Sequence, residues 1–275
     1  MKPPRFDYVR AHSLAEVTHT LAAEGGDARV IAGGQTLVPM LSMRLARPKV
    51  LIDIMGLSEL ARIEATENGL RVGAAVRQAT LLAHPDLARL QPLLAAALPW
   101  VGHAQTRNRG TVCGSIAHAD PSAELPLVLV ALGGEVHLAK RWRQRSVAAE
   151  AFFLGLMSTA RADDEFVAGV TFSAARAGQG FAFREFGRRH GDFAITACAA
   201  VVDERSTRLA VGGVADRPVA RTWENLDGTA LEDALNDFAY SLDARDDLHA
   251  SARLRRDLVR KLGAATIAEA RRCRV

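Results

Sequence analysis

The strand-like run ARVIA, Ala28–Ala32, leads directly into Gly33 and Gly34, then the hydroxyl of Thr36, and then a helical stretch from about Leu37 to Leu45. A strand that turns through two glycines into a helix points consecutive backbone N–H groups at one spot. This makes an anion-binding concavity, to which the helix start adds partial positive charge. Glycine permits backbone angles closed to other residues and leaves room for a phosphate. A second stretch of the same kind, Thr111-Val-Cys-Gly-Ser115, follows RNRG. Taken alone, a Gly-Gly turn is more often structural than functional. Two such loops in order can grip one pyrophosphate from two sides, which points to a dinucleotide.

The remaining pattern is mixed helix and strand without regular alternation, an α+β chain. FDYVRA reads as a strand. Ser13 and Glu16 form a capping box, Leu14, Val17 and Leu21 share a helical face, and Gly25-Gly26 ends that helix. KVLIDI closes a first unit near Gly56. LRVGAAV, GGEVHLAK and EFVAGVTFS read as strands, and AELPLVLVALG as a helix. The small, flexible run AARAGQG, 174–180, marks a boundary, giving expected units 1–56, 57–175 and 176–275. In the last unit GFAFREFGR, AITACAAVVDE and TRLAVGGVA suggest a three-stranded antiparallel sheet. Two helices follow, the second with Leu254, Leu258 and Leu262 on one face between arginines.

Common catalytic and nucleotide signatures are absent. No GxGxxG follows a strand: Gly178 and Gly180 begin one, but Phe183 stands where the third glycine belongs. There is no P-loop, no HExxH and no GxSxG. His118, Asp120 and Glu124 do not share a face of a helix or strand, which argues against a metal site. Cys113, Cys198 and Cys273 form no CxxC, so neither a disulfide framework nor a [2Fe–2S] cluster is expected on this chain. Of 35 basic residues 31 are arginine, yet the net charge is only +4 and is spread along the chain. That is the surface of an ordinary soluble protein and not a nucleic-acid footprint. No apolar run reaches membrane-spanning length and the N-terminus lacks a signal-peptide core, so a cytoplasmic protein is expected.

Three stretches, VIAGGQTLVPML, TRNRGTVCGSIAHADPSAELP and RRHGDFA, together resemble the FAD-binding medium subunit of molybdenum hydroxylases, the xanthine dehydrogenase and carbon monoxide dehydrogenase family. The resemblance covers essentially the whole chain, with the three motifs in the family's order. It implies a two-subdomain FAD-binding fold of the PCMH type, followed by a C-terminal domain with a three-stranded antiparallel sheet and helices. It implies non-covalent FAD on this chain, molybdopterin on a large partner subunit, two [2Fe–2S] clusters on a small one, and a dimer of heterotrimers. By position, Ala32, Gly33, Gly34, Gln35, Thr36 and Leu37 would wrap the pyrophosphate. Thr111, Gly114 and Ser115 would hold its other side and the ribityl chain. Ala117 would lie against the flavin, and Glu124 falls where relatives carry an acid that hydrogen-bonds FAD. Arg184 is placed where relatives commonly carry a lysine, and would balance negative charge on the cofactor. The chain departs from the family in Gln35-Thr36 and in Cys113, which stands where glycine is usual and leaves the local backbone angle open. Asp192 is read as fixing the turn into the next strand.

Three functions follow from these features. The first is electron transfer from a partner's clusters through FAD to an external acceptor, in which no side chain of this chain acts as acid, base or nucleophile. The second is a self-contained flavin-dependent oxidoreductase with its own substrate pocket in the C-terminal domain. The third is an interaction protein that keeps the fold without FAD. The intact glycines and hydroxyls of both loops argue against the third, and the lack of a general-base motif counts modestly against the second. Substrate and acceptor are not specified by this chain.

Overall fold

The structure is a computed structural model and describes residues 2–274. The chain opens with β1 (Asp7–Arg10), α1 (Leu14–Glu24), β2 (Ala28–Ile31), α2 (Leu37–Ser42) and β3 (Val50–Asp53). These strands form a parallel sheet in the order β1-β3-β2. The Ser13 hydroxyl accepts the Glu16 N–H at 3.2 Å, and the Glu16 carboxylate accepts the His12 N–H at 2.7 Å. Val17 and Leu21 of α1 are buried against the sheet. The βαβ connection therefore delivers the C-terminal end of β2 to the Gly33-Gly34 turn.

The second unit begins with β4 (Ile63–Thr66) and β5 (Gly69–Gly73). Short helices follow: α3 (Gln78–Leu82), α4 (Leu87–Leu90), α5 (Pro92–Ala97), α6 (Ala104–Arg109), α7 (Val112–His118) and α8 (Glu124–Ala131). Then come β6 (Glu135–Lys140), β7 (Arg143–Ala148), α9 (Ala149–Phe152), the small hairpin β8 (Phe153–Gly155) and β9 (Ser158–Thr159), and β10 (Phe166–Ser173). Five of these strands make an antiparallel sheet ordered β4-β5-β10-β6-β7. Every residue of α8 is buried. A helix apolar on all sides belongs inside a core, and Glu124 is its one charged residue.

The C-terminal part holds β11 (Gly180–Phe186), β12 (Thr196–Val202), β13 (Ser206–Gly212) and β14 (Val219–Glu224), then α10 (Gly228–Ser241) and α11 (Ala252–Arg272). Its sheet has four antiparallel strands where the sequence predicts three. The added strand β14, VARTWE, is a half-exposed edge strand. An edge strand of that kind lacks the clear alternation that a strand with one buried face shows.

Both faces of this sheet are covered. Phe181, Phe183, Ala197, Ala199 and Ala210 join the core that contains α5 and α8. Ala182, Cys198, Ala200, Leu209 and Val211 pack instead with α10 and α11. The period-two alternation of a strand makes that partition. It also explains why AITACAAVV is nearly continuously apolar and built of small residues. Among the described residues, no helix is long and apolar enough to cross a membrane.

Candidate functional site: a cleft between two glycine loops

A cleft of about 620 Å³ opens where β2, the start of α2, α7 and the start of α8 converge. All the expected site residues except Arg184 line it: Ala32, Gly33, Gly34, Gln35, Thr36, Leu37, Thr111, Gly114, Ser115, Ala117 and Glu124.

The first loop is shaped by its two glycines in different ways. Gly34 has φ +70°, a left-handed conformation. A Cβ on Gly33 would overlap the Arg109 carbonyl and come within 2.7 Å of Gly110 Cα. Gly33 is therefore small because the end of α6 rests on it, which seats the two loops directly against each other. The amides of Gly33, Gly34, Gln35 and Thr36 donate to no acceptor among the described residues. The Thr36 hydroxyl makes no capping bond either. This leaves a row of unpaired donors along the cleft, as an anionic linker would need.

The second loop is built on Thr111. Its hydroxyl accepts the Gly114 N–H at 3.0 Å, and the Ser115 N–H bonds to the Thr111 carbonyl at 3.3 Å. A Cβ at Gly114 would lie 2.7 Å from that hydroxyl oxygen. Gly114 thus contributes space, its amide being already satisfied, while the Thr111 hydroxyl keeps its own proton free to donate. Cys113 is not among the residues with positive φ; it lies inside α7 with an ordinary helical backbone. Its thiol is buried, sits 3.5 Å from the Val72 carbonyl and is pushed far up by burial, so it is an inert core side chain.

Charge in the cleft is divided. Arg29 and Arg161 line it, and neither takes part in a salt bridge among the described residues. Burial, then the neighbouring Arg29, lowers the Arg161 pKa. Toward α8 lie Asp120 and Glu124. Burial raises the Glu124 carboxyl to about 7, Asp120 adds to the rise, and its own helix-start amide and Arg107 oppose it.

Arg184 does not reach the cleft. On β11 the odd residues Phe181 and Phe183 face the core that contains α5 and α8, while the even residue Ala182 faces α10 and α11. Arg184 follows the even set and pairs with Glu269 of α11 at 2.7 Å. Glu185 follows the odd set, its Oε2 buried without a hydrogen-bond partner. Burial raises its carboxyl to about 8, with the charge of Glu124 as the further cause.

The β11–β12 connection contributes more than a turn. Gly191, Asp192 and Phe193 all line the cleft, with Phe193 two-thirds exposed. Sequence reasoning treated Asp192 as structural and passed over Phe193; an apolar ring beside Gly-Asp in a polar loop was the available signal. A second cavity of about 500 Å³ lies on the other side of the first loop, beside Tyr8, Asp53, Arg77 and Arg109.

Residues 4–173 match the family described as the FAD binding domain in molybdopterin dehydrogenase, and residues 181–270 match the CO dehydrogenase flavoprotein C-terminal domain. The chain belongs to this family. It is 36% identical to the 6-hydroxypseudooxynicotine dehydrogenase complex subunit alpha of Paenarthrobacter nicotinovorans, over 98% of this chain and 96% of that one. The carbon monoxide dehydrogenase of Hydrogenophaga pseudoflava, solved in a form lacking the Mo-pyranopterin moiety, superposes with a TM-score of 0.95 at 29% identity, covering both chains fully. Quinoline 2-oxidoreductase of Pseudomonas putida 86 gives 0.91 at 33% identity over 99% of each chain.

The cleft fits the cofactor of this FAD-binding family on its own chemistry. Unpaired amides and the Thr36 and Ser115 hydroxyls can take phosphate oxygens, and the glycines hold the wall back. The volume is that of a ligand site. The protein is thus a flavoprotein medium subunit of a molybdenum hydroxylase, an oxidoreductase of the dehydrogenase type.

Proposed function

We propose that this subunit receives electrons from [2Fe–2S] clusters on a small partner chain and passes them through FAD to an external acceptor. A large partner chain would carry molybdopterin and the substrate pocket, in a dimer of heterotrimers. The observation that carries this reading is the pair of glycine loops seated against each other across one cleft, with free amides on the first and a free hydroxyl proton on the second. Ala32–Leu37 bind the pyrophosphate, Thr111, Gly114 and Ser115 its other side, and Ala117 and Glu124 the part toward α8. Bound FAD supplies the electron acceptance and release; this chain's residues bind and orient it and exclude water.

Three relatives bear names that point to three substrates, carbon monoxide, quinoline and 6-hydroxypseudooxynicotine, on one medium-subunit fold. That supports a substrate pocket on another chain. The division into 1–56, 57–175 and 176–275 belongs to the same reading, supported by one principal sheet falling in each segment. A cytoplasmic setting fits an exposed, unpaired Cys273.

The test is the visible absorption spectrum of the purified chain before and after acid precipitation. Flavin bands that move to the supernatant are expected, together with co-purification of iron–sulfur and molybdopterin subunits. A colourless chain that fails to quench FAD fluorescence even with those subunits added overturns the proposal.

A further inference from the structure

The first glycine loop has a cavity on each side, and the FAD reading accounts for only one of them. Ile31 ends β2 and Asp53 ends β3, and both line the second cavity, of about 500 Å³. Open parallel sheets take ligands outside the carboxyl ends of their strands, and this volume is in the range of small-molecule sites. Gly33, Gly34 and Gln35 line both cavities, so the loop is the partition between them. Tyr8, Asp53, Arg77 and Arg109 line the second and not the first.

Those four residues bring three kinds of group. Arg77 stands just before α3, in an isolated antiparallel bridge with Thr111, and Arg109 ends α6 with its carbonyl against Gly33. Among the described residues neither guanidinium has a carboxylate partner. The cavity's one acid is already held: the Tyr8 hydroxyl donates to Asp53 Oδ2, and the Met55 N–H donates to Oδ1 at 2.8 Å. Each oxygen of Asp53 keeps a lone pair for a further hydroxyl. Tyr8 is tied down at its hydroxyl yet is 56% exposed, so a fixed aromatic ring stands largely uncovered at the cavity.

We propose that this cavity is a second ligand site, behind the first glycine loop, and that it takes a mononucleotide. Unpaired guanidiniums suit a phosphate, which arginine recognises through paired N–H donors. A fixed, open phenol ring suits the face of a base. A carboxylate with spare lone pairs suits the hydroxyls of a sugar. A mononucleotide carries all three groups on one frame of about the cavity's size. The site does not depend on the FAD reading, because the side chains that define it lie outside the first cleft.

The experiment is titration calorimetry of the full chain, saturated with FAD, against adenosine monophosphate, inorganic phosphate and adenosine. The monophosphate is expected to bind once per chain and to leave the flavin spectrum in place. Phosphate and adenosine, each lacking half of the contacts, should bind at least about tenfold more weakly. Arg77→Ala and Arg109→Ala should each raise the Kd of the monophosphate about tenfold or more. Tyr8→Leu should raise it about fivefold or more, while Tyr8→Phe, which keeps the ring, should stay within about threefold. The flavin spectrum of each variant reports whether it has folded. Should a variant fail to fold, the wild-type titrations with the three ligands carry the test alone.

Four results would overturn the inference while leaving the FAD site intact: no saturable binding of the monophosphate, release of FAD as it binds, phosphate or adenosine binding as tightly as the monophosphate, or arginine variants with the wild-type Kd. A chain that takes up no FAD, yet binds the monophosphate and loses it in Arg77→Ala and Tyr8→Leu, would remove the FAD reading and keep this one.

Discussion

Gly33 and Gly34 are adjacent in sequence but answer to different constraints. Gly34 needs its left-handed backbone, whereas Gly33 needs the space that Arg109 and Gly110 occupy. Gly33→Ala is therefore expected to push the loops apart, at a cost of about 1–3 kcal/mol of overpacking, and to weaken FAD binding strongly. A thermal melt combined with FAD titration separates the two effects, and an alanine variant with unchanged affinity would contradict the loop-on-loop geometry. Arg184→Ala should do the opposite. It breaks a half-exposed ion pair with Glu269, so stability should change by no more than about 1 kcal/mol and FAD affinity should stay put. A clear loss of affinity would return Arg184 to the site.

What could be read at this scale was what the backbone itself dictates: a strand that turns through glycine, a hydroxyl placed to cap, a capping box at Ser13. Gln35 and Thr111 were visible for the same reason. Glu185 was not visible, because whether residue 184 or 185 faces inward depends on which face of β11 is covered, and both faces are. Cys113 left the local backbone angle open, and only the placement of α7 shows it to be an ordinary buried helical residue.

At the scale of elements, the C-terminal sheet is locked to its helices by one buried arginine. Arg255 of α11 is 5% exposed. Its guanidinium donates to the Ile195 carbonyl at 2.6 Å and the Gly213 carbonyl at 2.5 Å, and bonds to the Asp247 carboxylate. It thereby ties the entry to β12, the exit from β13 and the loop before α11 to a single planar group. Arg255→Ala leaves the Gly213 carbonyl without a donor, while the Ile195 carbonyl keeps the Thr196 hydroxyl and the Asp247 carboxylate keeps the His249 and Ala250 amides, so a loss of about 1–3 kcal/mol is expected. Arg255→Lys should rescue little, since an ammonium lacks the planar fork that reaches all three partners. Chemical denaturation of the full chain measures both; a lysine variant as stable as wild type would show that charge alone suffices. No pattern in the chain marks this residue out, as α11 reads as an amphipathic helix with arginines along its exposed side. Burial of one of them depends on the loops that close over it. The missed strand β14 belongs to the same class, an element defined by its neighbour more than by its own pattern.

At the scale of the whole molecule, the segments that the sequence separates are not separate in their cores. Phe181 and Phe183 of β11, with Ala197 and Ala199 of β12, belong to the core that includes Leu93, Leu94 and the length of α8. The C-terminal sheet is therefore the outer wall of the FAD-binding part as well as the floor for α10 and α11. Burying a phenylalanine is worth about 1.5–3 kcal/mol. The two phenylalanines alone thus contribute an amount comparable with a good part of the roughly 5–15 kcal/mol that holds a typical domain together. A fragment of residues 1–175 should accordingly lose α8's cover, bind a hydrophobic dye and melt without a cooperative transition, while the full chain melts in a single step. Calorimetry on both decides it. A fragment that unfolds cooperatively and still quenches FAD would mean the shared core is dispensable, and the boundary near 175 would then be a true folding boundary. The single transition expected instead has a consequence for the cleft. Gly191, Asp192 and Phe193 come from the C-terminal part and Glu124 from the FAD-binding part, so the cleft's outer wall exists only when both parts are folded together.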